Sequence, residues 1–377
     1  MTTTLFWALN CLTSFVICIF LTGIVIPKIL LIAFRKKLFD VPDERKIHTK
    51  AVPRLGGIAF HPVIFFTFAL IMGINILCGQ TQFQVALRDN VLALAFGYCA
   101  IMILYLIGIA DDLVGIRYRA KFVVQILCGI LLVTGGIWID DFHGVFGIGG
   151  IPTWVGYPLT VLVTVFLINA INLIDGVDGL ASGLSSIALL CYGIYFFMFG
   201  QYIYALISFG VLGVLVQFFY YNVFGNPDKH KKIFMGDTGS LTVGMILSIL
   251  AVKMAQFTPN AAIAAPNTMI LAISPILIPC FDVIRVYFYR IRHGQNPFLP
   301  DKNHIHHKLL AVGMGQRTTM ITIVASSAAF VLVNILLERY VNINLIIIFD
   351  IAVWTIVNIL LRHRINEIEK IKQLKQA

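Results

Sequence analysis

The sequence predicts an all-α, polytopic integral membrane protein of about eleven transmembrane helices, with its N-terminus outside and its C-terminus cytoplasmic. Composition is the first of three observations behind that expectation. Of 377 residues, 59% are hydrophobic and only 12% charged, and the mean hydropathy is +0.90. An ordinary soluble domain carries about 25% charged residues. The second observation is the recurrence of apolar runs of roughly 20 residues, long enough to cross a hydrocarbon core. The third is a one-sided distribution of Lys and Arg among the segments between those runs.

The first run, 10–34, follows a stretch from Met1 to Asn10 that has no basic residue. A cleavable signal peptide would begin with one. Runs at 56–77, 91–109 and 122–138 come next, then 159–174, which closes on a polar stretch. The runs 180–199 and 202–222 are parted only by Gly200 and Gln201. A run at 240–256 precedes 267–289, where Pro275 and Pro279 should break or kink the helix because neither supplies a backbone N–H. The runs 319–337 and 344–361 complete the set. Without an internal repeat, low-complexity tract or long linker, residues 1–377 read as one membrane-embedded domain. Residues 362–377 form a short basic cytoplasmic tail.

Loops joining alternate helices, with that tail, hold 24 of the 28 Lys and Arg residues; the exceptions are Lys28, Arg88, Lys253 and Arg339. Basic loops stay in the cytoplasm, so an outside N-terminus and an inside C-terminus follow, and with them an odd number of spans. The net charge of +10 therefore needs no nucleic acid as a partner: it is divided among short segments that contain no recognisable nucleic-acid module. The seven cysteines lie scattered and mostly within spans, without CxxC or metal-like spacing, as small packing residues do.

Every feature with chemical character falls on the basic side. Asn169, Asn172, Asp175 and Asp178 recur at every third residue where 159–174 ends. On a helix, steps of about 60° and about 4.5 Å would align them as a steep polar stripe. Such groups glue spans together or face a functional cavity, and four in register beside Gly176 and Gly179 favour the cavity. The adjacent carboxylates Asp111 and Asp112 repel one another and call for a cation, and Lys121 opens the next span nearby. Asp237, between Gly236 and Gly239, is suited to a hard metal ion, while Phe234 reads equally as apolar filler or as a platform for a base. His304, His306 and His307 lack the partner pair of a structural zinc site, and the basic residues around them favour an anion. His48 lies in a basic first loop that also serves orientation. Carboxylates for Mg²⁺, cations for phosphates and glycines for close approach are the equipment of phosphoryl transfer between a cytosolic diphosphate and a membrane-embedded phosphate.

From about Asp40 to Gly315 the chain resembles the polyprenyl-phosphate N-acetylhexosamine-1-phosphate transferase family, on VPDERKIHTKAVPRLGG, GIADDLVGI, NAINLIDGVDGLASGL, FMGDTGS, PCFDVIRV and DKNHIHHKLLAVG in the family's order. The HIHH run is similar to the branch that moves GlcNAc-1-phosphate from UDP-GlcNAc to undecaprenyl phosphate, releasing UMP, as the first membrane step of cell-envelope polysaccharide synthesis. The resemblance implies a bacterial inner-membrane enzyme with a cytoplasmic site. It implies catalytic roles for Asp111 and Asp112, on the lipid phosphate or in placing metal. Asp237 matches the metal ligand, with Asn172 as a neighbouring oxygen donor for Mg²⁺ or Mn²⁺. Asn172, Asp175, Gly176, Asp178 and Phe234 match the stretch that holds the uridine nucleotide. His304, His306 and His307 match the run that contacts the sugar diphosphate, and Lys121 and His48 match basic positions near the phosphates. A monomer and a homodimer both fit the sequence. Asp350, in the last span, matches no family role. Two other functions are weighed: the same reaction on another UDP-N-acetylhexosamine, and a lipid-carrier transporter. The transporter should show inverted repeats and charges toward both faces.

Overall fold

The computed structural model describes residues 2–38, 52–258, 267–296 and 303–376. These form helices α1 (Thr3–Lys36), α2 (Phe60–Leu77), α3 (Thr81–Asp89), α4 (Val91–Val114), α5 (Tyr118–Thr134), α6 (Thr153–Ile174) and α7 (Leu180–Met198). They continue with α8 (Tyr202–Val223), α9 (Gly236–Gln256), α10 (Thr268–Ile273), α11 (Leu277–Arg292), α12 (Ile305–Ala311), α13 (Gln316–Glu338) and α14 (Ile343–Gln376). Among the described residues there is no β-strand, only an isolated bridge between Asp141 and Gly150. The chain is an all-α, multi-pass membrane protein.

Ten segments among the described residues are long and apolar enough to cross a membrane, α10 and α11 together making one of them. The 17-residue α5 makes an eleventh by topology. It begins beside Asp111, which Lys121 meets in an ion pair, and ends in the loop 135–152. That loop lies at the opposite end of the bundle, where His143 Nε2 meets the Ala255 carbonyl at 2.6 Å near the C-terminus of α9. Asp237, at the other end of α9, shares Lys121 with Asp111. α5 therefore runs the length of the bundle. The 180–199 and 202–222 runs are separate helices, with Gly200 at a φ of +73° between them.

Pro275 breaks the next span into α10, a single 3₁₀ turn at Ser274–Ile276, and α11. Pro279 is absorbed in the first turn of α11, where a missing N–H costs no hydrogen bond. Near the break the Tyr192 hydroxyl donates to the Ala272 carbonyl at 2.6 Å. Asn334 donates to Ser274 Oγ at 2.9 Å and to Asp350 Oδ2 at 2.8 Å, so Asp350 is paired inside the protein, between α13 and α14. α14 runs on without interruption through the basic tail to Gln376.

α9 is the axis of the bundle, buried along nearly its whole length against α4, α6, α7 and α10. Glycines let other backbones reach its first turn. A β-carbon on Gly57 would lie 2.0 Å from the Gly239 nitrogen, and one on Gly108 of α4 would lie 2.4 Å from Thr238 Cα. Both are far inside van der Waals contact, so only glycine permits this approach. The Gly56 and Gly57 amides also donate to the Phe234 and Met235 carbonyls at 2.9 and 2.8 Å. The N-terminus of α9 is thereby clamped to the end of α4 and the start of α2, and the site is built there.

Candidate active site

Asp112, at the end of α4, accepts from the Asp237 amide at 2.8 Å, the Thr238 amide at 2.9 Å and the Thr238 hydroxyl at 2.6 Å. It serves the first turn of α9 as a capping carboxylate, with its negative charge at the positive end of the helix. Its neighbour Asp111 faces another way. One oxygen accepts from the Ile116 amide at 2.6 Å and the other from the Lys121 ammonium. The same ammonium lies 2.5 Å from Asp237 Oδ2. Lys121 is thus held between Asp111 and Asp237, while Asp112, the other member of the adjacent pair, is taken up by the first turn of α9.

The expected four-member polar stripe is corrected by the structure. α6 stops at Ile174, so only Asn169 and Asn172 lie on it; Asp175 is its C-cap residue, and Asp178 follows in the turn leading to Gly179. The two glycines of the run end the helical rise that the spacing assumed. Asn169 pairs with Gln125 of α5 at 2.7 Å and is interhelical glue. Asn172 donates to Ser240 Oγ at 2.8 Å and lies 3.3 Å from Asp237 Oδ1. It presents its amide nitrogen to Asp237; a half-turn of the carboxamide would present the oxygen instead.

The turn at 175–179 is anchored by a residue that no sequence motif singles out. Buried Asn222 accepts from the Gly179 amide at 2.6 Å and donates to the Ile233 carbonyl at 2.9 Å. Lys232 meets Asp178 at 2.5 Å, and its ammonium stands 5.9 Å from the ring centre of half-buried Phe234. In sequence Lys232 is one of a basic cluster, with no spacing to single it out. Burial pushes the Asp175 carboxyl up to about 7; the negative charges of Asp237, Asp178 and Asp112 act in the same direction, and Arg54 opposes them. Near neutrality Asp175 therefore exists in both protonation states.

The histidine run closes on this turn. The His306 ring packs on Gly176, where a β-carbon would lie 2.3 Å from Nε2. His306 is 1% exposed, and its buried Nδ1 has no hydrogen-bond partner among the described residues. Burial, helped by His307 and His304, pulls its pKa down to about 3, so it is a neutral imidazole at physiological pH. A neutral ring still donates and accepts hydrogen bonds. His304 bonds through Nδ1 to Asp282 Oδ2 at 2.8 Å, and its ring stacks parallel to that of His306 at 5.7 Å. His307 lies 4.3 Å from the His306 ring, centre to centre. His48 lies outside the described residues.

Among the described residues Asp111, Asp112, Asp175, Asp178 and Asp237 gather with Lys121, Lys232 and Arg54, five acidic groups with three basic ones. The excess of negative charge among these described groups suits a divalent cation. No group of three His, Cys, Asp or Glu side chains is gathered as a ready metal cage among the described residues. Mg²⁺ is commonly held by one or two carboxylates together with substrate phosphates, and Asp237 with Asp111 fits that pattern.

The family model described as glycosyl transferase family 4 matches residues 94–255, which hold all of these groups except Arg54 and the histidine run. A probable undecaprenyl-phosphate N-acetylglucosaminyl 1-phosphate transferase of Bacillus subtilis is 32% identical over 90% of this chain and 89% of its own. A decaprenyl-phosphate N-acetylglucosaminephosphotransferase of Mycolicibacterium smegmatis is 31% identical over 84% of this chain and 78% of its own. The undecaprenyl-phosphate alpha-N-acetylglucosaminyl 1-phosphate transferase of Escherichia coli K12 is 28% identical over 81% and 78%. Likeness sustained over so much of both chains reflects common descent and not shared hydrophobicity, and the chain belongs to the polyprenyl-phosphate N-acetylhexosamine-1-phosphate transferase family.

Proposed function

We propose that this protein transfers N-acetylglucosamine 1-phosphate from UDP-GlcNAc to undecaprenyl phosphate at the cytoplasmic face of the bacterial inner membrane. The observation that carries the reading is the Asp111–Lys121–Asp237 bridge at the end of α9, flanked by the Asp175–Asp178 turn. In this reading it offers cationic and carboxylate groups to a lipid phosphate and a soluble diphosphate. The relatives named above act on such lipids.

In this reading Asp175, when ionised, accepts a hydrogen bond from the uracil ring, and half-buried Phe234 offers the base a flat apolar surface. Lys121 and Lys232 supply positive charge to the phosphates. The stacked histidines face the sugar diphosphate. A phosphate oxygen of the lipid attacks the β-phosphorus of the donor; the bond from that phosphorus to the bridging oxygen breaks, and UMP leaves with the electron pair. The acceptor phosphate is already an anion near neutral pH, so a strong general base is not required. Asp111, facing Lys121, orients the acceptor, while Asp112 keeps Asp237 in register through the first turn of α9. Mg²⁺ or Mn²⁺, held by Asp237 and Asp111 with Asn172 turned to offer its oxygen, would offset charge on the diphosphate as it parts.

The reaction exchanges one diphosphate linkage for another and so is readily reversible. Purified protein given UMP and undecaprenyl-diphospho-GlcNAc should regenerate UDP-GlcNAc. Release of UDP or inorganic phosphate in the forward direction would refute attack at the β-phosphorus. Preference for another UDP-N-acetylhexosamine as donor would reassign the sugar.

A further inference from the structure

Asp282 lies on α11, outside every role assigned so far, and is fully buried. Its oxygens take three donors: His304 Nδ1 at 2.8 Å on one, and the Ile305 amide at 2.9 Å and Arg285 Nη2 at 2.8 Å on the other. The same Arg285 nitrogen also donates to the Asn303 carbonyl. A buried carboxylate is costly unless its oxygens are engaged. Here the engagement staples three consecutive residues, Asn303, His304 and Ile305, onto a membrane-spanning helix. The staple is needed because α12, at seven residues, is too short to hold its own conformation.

The contact also selects one nitrogen of His304. A carboxylate oxygen accepts, so Nδ1 carries the proton that it donates, and Nε2 is the nitrogen left for a ligand. The ring of His306 lies within 2° of parallel to it, and His306 in turn rests on Gly176 of the 175–179 turn. One carboxylate thus sets the orientation of His304 and, through the stacked rings, the fit of the histidine run against that turn.

We propose that Asp282 is a positioning residue for the donor: it fixes the tautomer and orientation of His304 so that Nε2 addresses the sugar diphosphate. This rests on the reading of the histidine run as part of the donor site.

The test is a double-mutant cycle of Asp282→Asn and His304→Ala in the full-length protein, with a separate readout of the His304 ring. Asp282→Asn keeps the shape but sets an NH₂ group against one of three donors. We expect donor KM to rise about tenfold in either single variant, with acceptor KM and thermal unfolding near wild type, and the double variant to be no worse than the single ones. Nitrogen-15 spectra of histidine-labelled protein should show the His304 proton on Nδ1 in wild type and moved to Nε2 in Asp282→Asn. Asp282→Glu, which keeps the charge but shifts it by one methylene, should show the same donor-selective defect and serves if the asparagine variant fails to purify. A donor defect in His304→Ala with none in Asp282→Asn, additive effects, or an unmoved tautomer would overturn the role of Asp282 and leave the donor site intact. A wild-type donor KM in His304→Ala would instead remove the histidine run from the donor site, and this proposal with it.

Discussion

Gly108→Ala should disable this enzyme from a position that touches no substrate. The added β-carbon would meet Thr238 Cα at 2.4 Å, the Thr238 nitrogen at 2.7 Å and the Asp237 carbonyl carbon at 3.1 Å. All three are backbone atoms, so no side chain can rotate away. Ordinary contact begins near 3.4 Å, so α4 and the first turn of α9 must part by about 1 Å. The amide hydrogen bonds to Asp112, now 2.8 and 2.9 Å, would lengthen beyond bonding distance. Asp237 would move by a similar amount relative to Asp111 and Lys121. Misplacing reacting groups by about 1 Å costs on the order of 10²-fold in rate, and overpacking of this kind costs about 1–3 kcal/mol of stability. The assay is transfer of radiolabelled GlcNAc phosphate into extractable lipid by purified protein, with thermal unfolding followed in parallel. Gly97→Ala, on the same helix, is the control: its β-carbon would meet only Ile249 Cδ1, at 3.5 Å, and activity should be unchanged. Wild-type turnover in Gly108→Ala, or equal damage from Gly97→Ala, would refute the clamp.

With Asp175 near 7, about a tenth of it is ionised at pH 6 and about nine tenths at pH 8, so donor KM at saturating acceptor should fall about tenfold over that interval. Asp175→Asn should flatten this dependence; an unchanged slope in that variant would assign the titration to another group. Asp237→Asn should insert and purify normally but lose turnover and respond weakly to Mg²⁺, because a carboxamide is a poor ligand for a hard cation. Retained activity with wild-type metal dependence would remove the metal assignment. A single cysteine placed at 303 should be shielded from impermeant reagent in intact cells, as the basic loops predict, and outside labelling there would invert the topology.

Hydropathy alone determined the fold class and nearly every span, because a segment in hydrocarbon must satisfy its backbone internally and shield it with apolar side chains. Both demands are local and are written residue by residue. The Pro275 break and the Gly200 turn were legible for the same reason. The residue types at the site were legible as well: Asp111, Asp112 and Asp237 as carboxylates and Lys121 as a basic residue near the first two. Sequence could not say that Lys121 also reaches Asp237, 116 positions away, since only the packing of α4, α5 and α9 brings the three together. Nor could a three-residue spacing reveal that α6 ends at Ile174 and leaves Asp175 and Asp178 in a turn. Asn222 and Lys232 carry no signal in the sequence that separates them from ordinary polar residues, and Asp282 stands out only as the carboxylate of the PCFDVIRV motif within an apolar run; the roles of all three exist only through a partner brought close by the fold. The state of His306 belongs to tertiary structure for the same reason. An imidazole's charge is set by the water it loses and the charges it gains on burial, and neither is a property of the residues beside it in sequence.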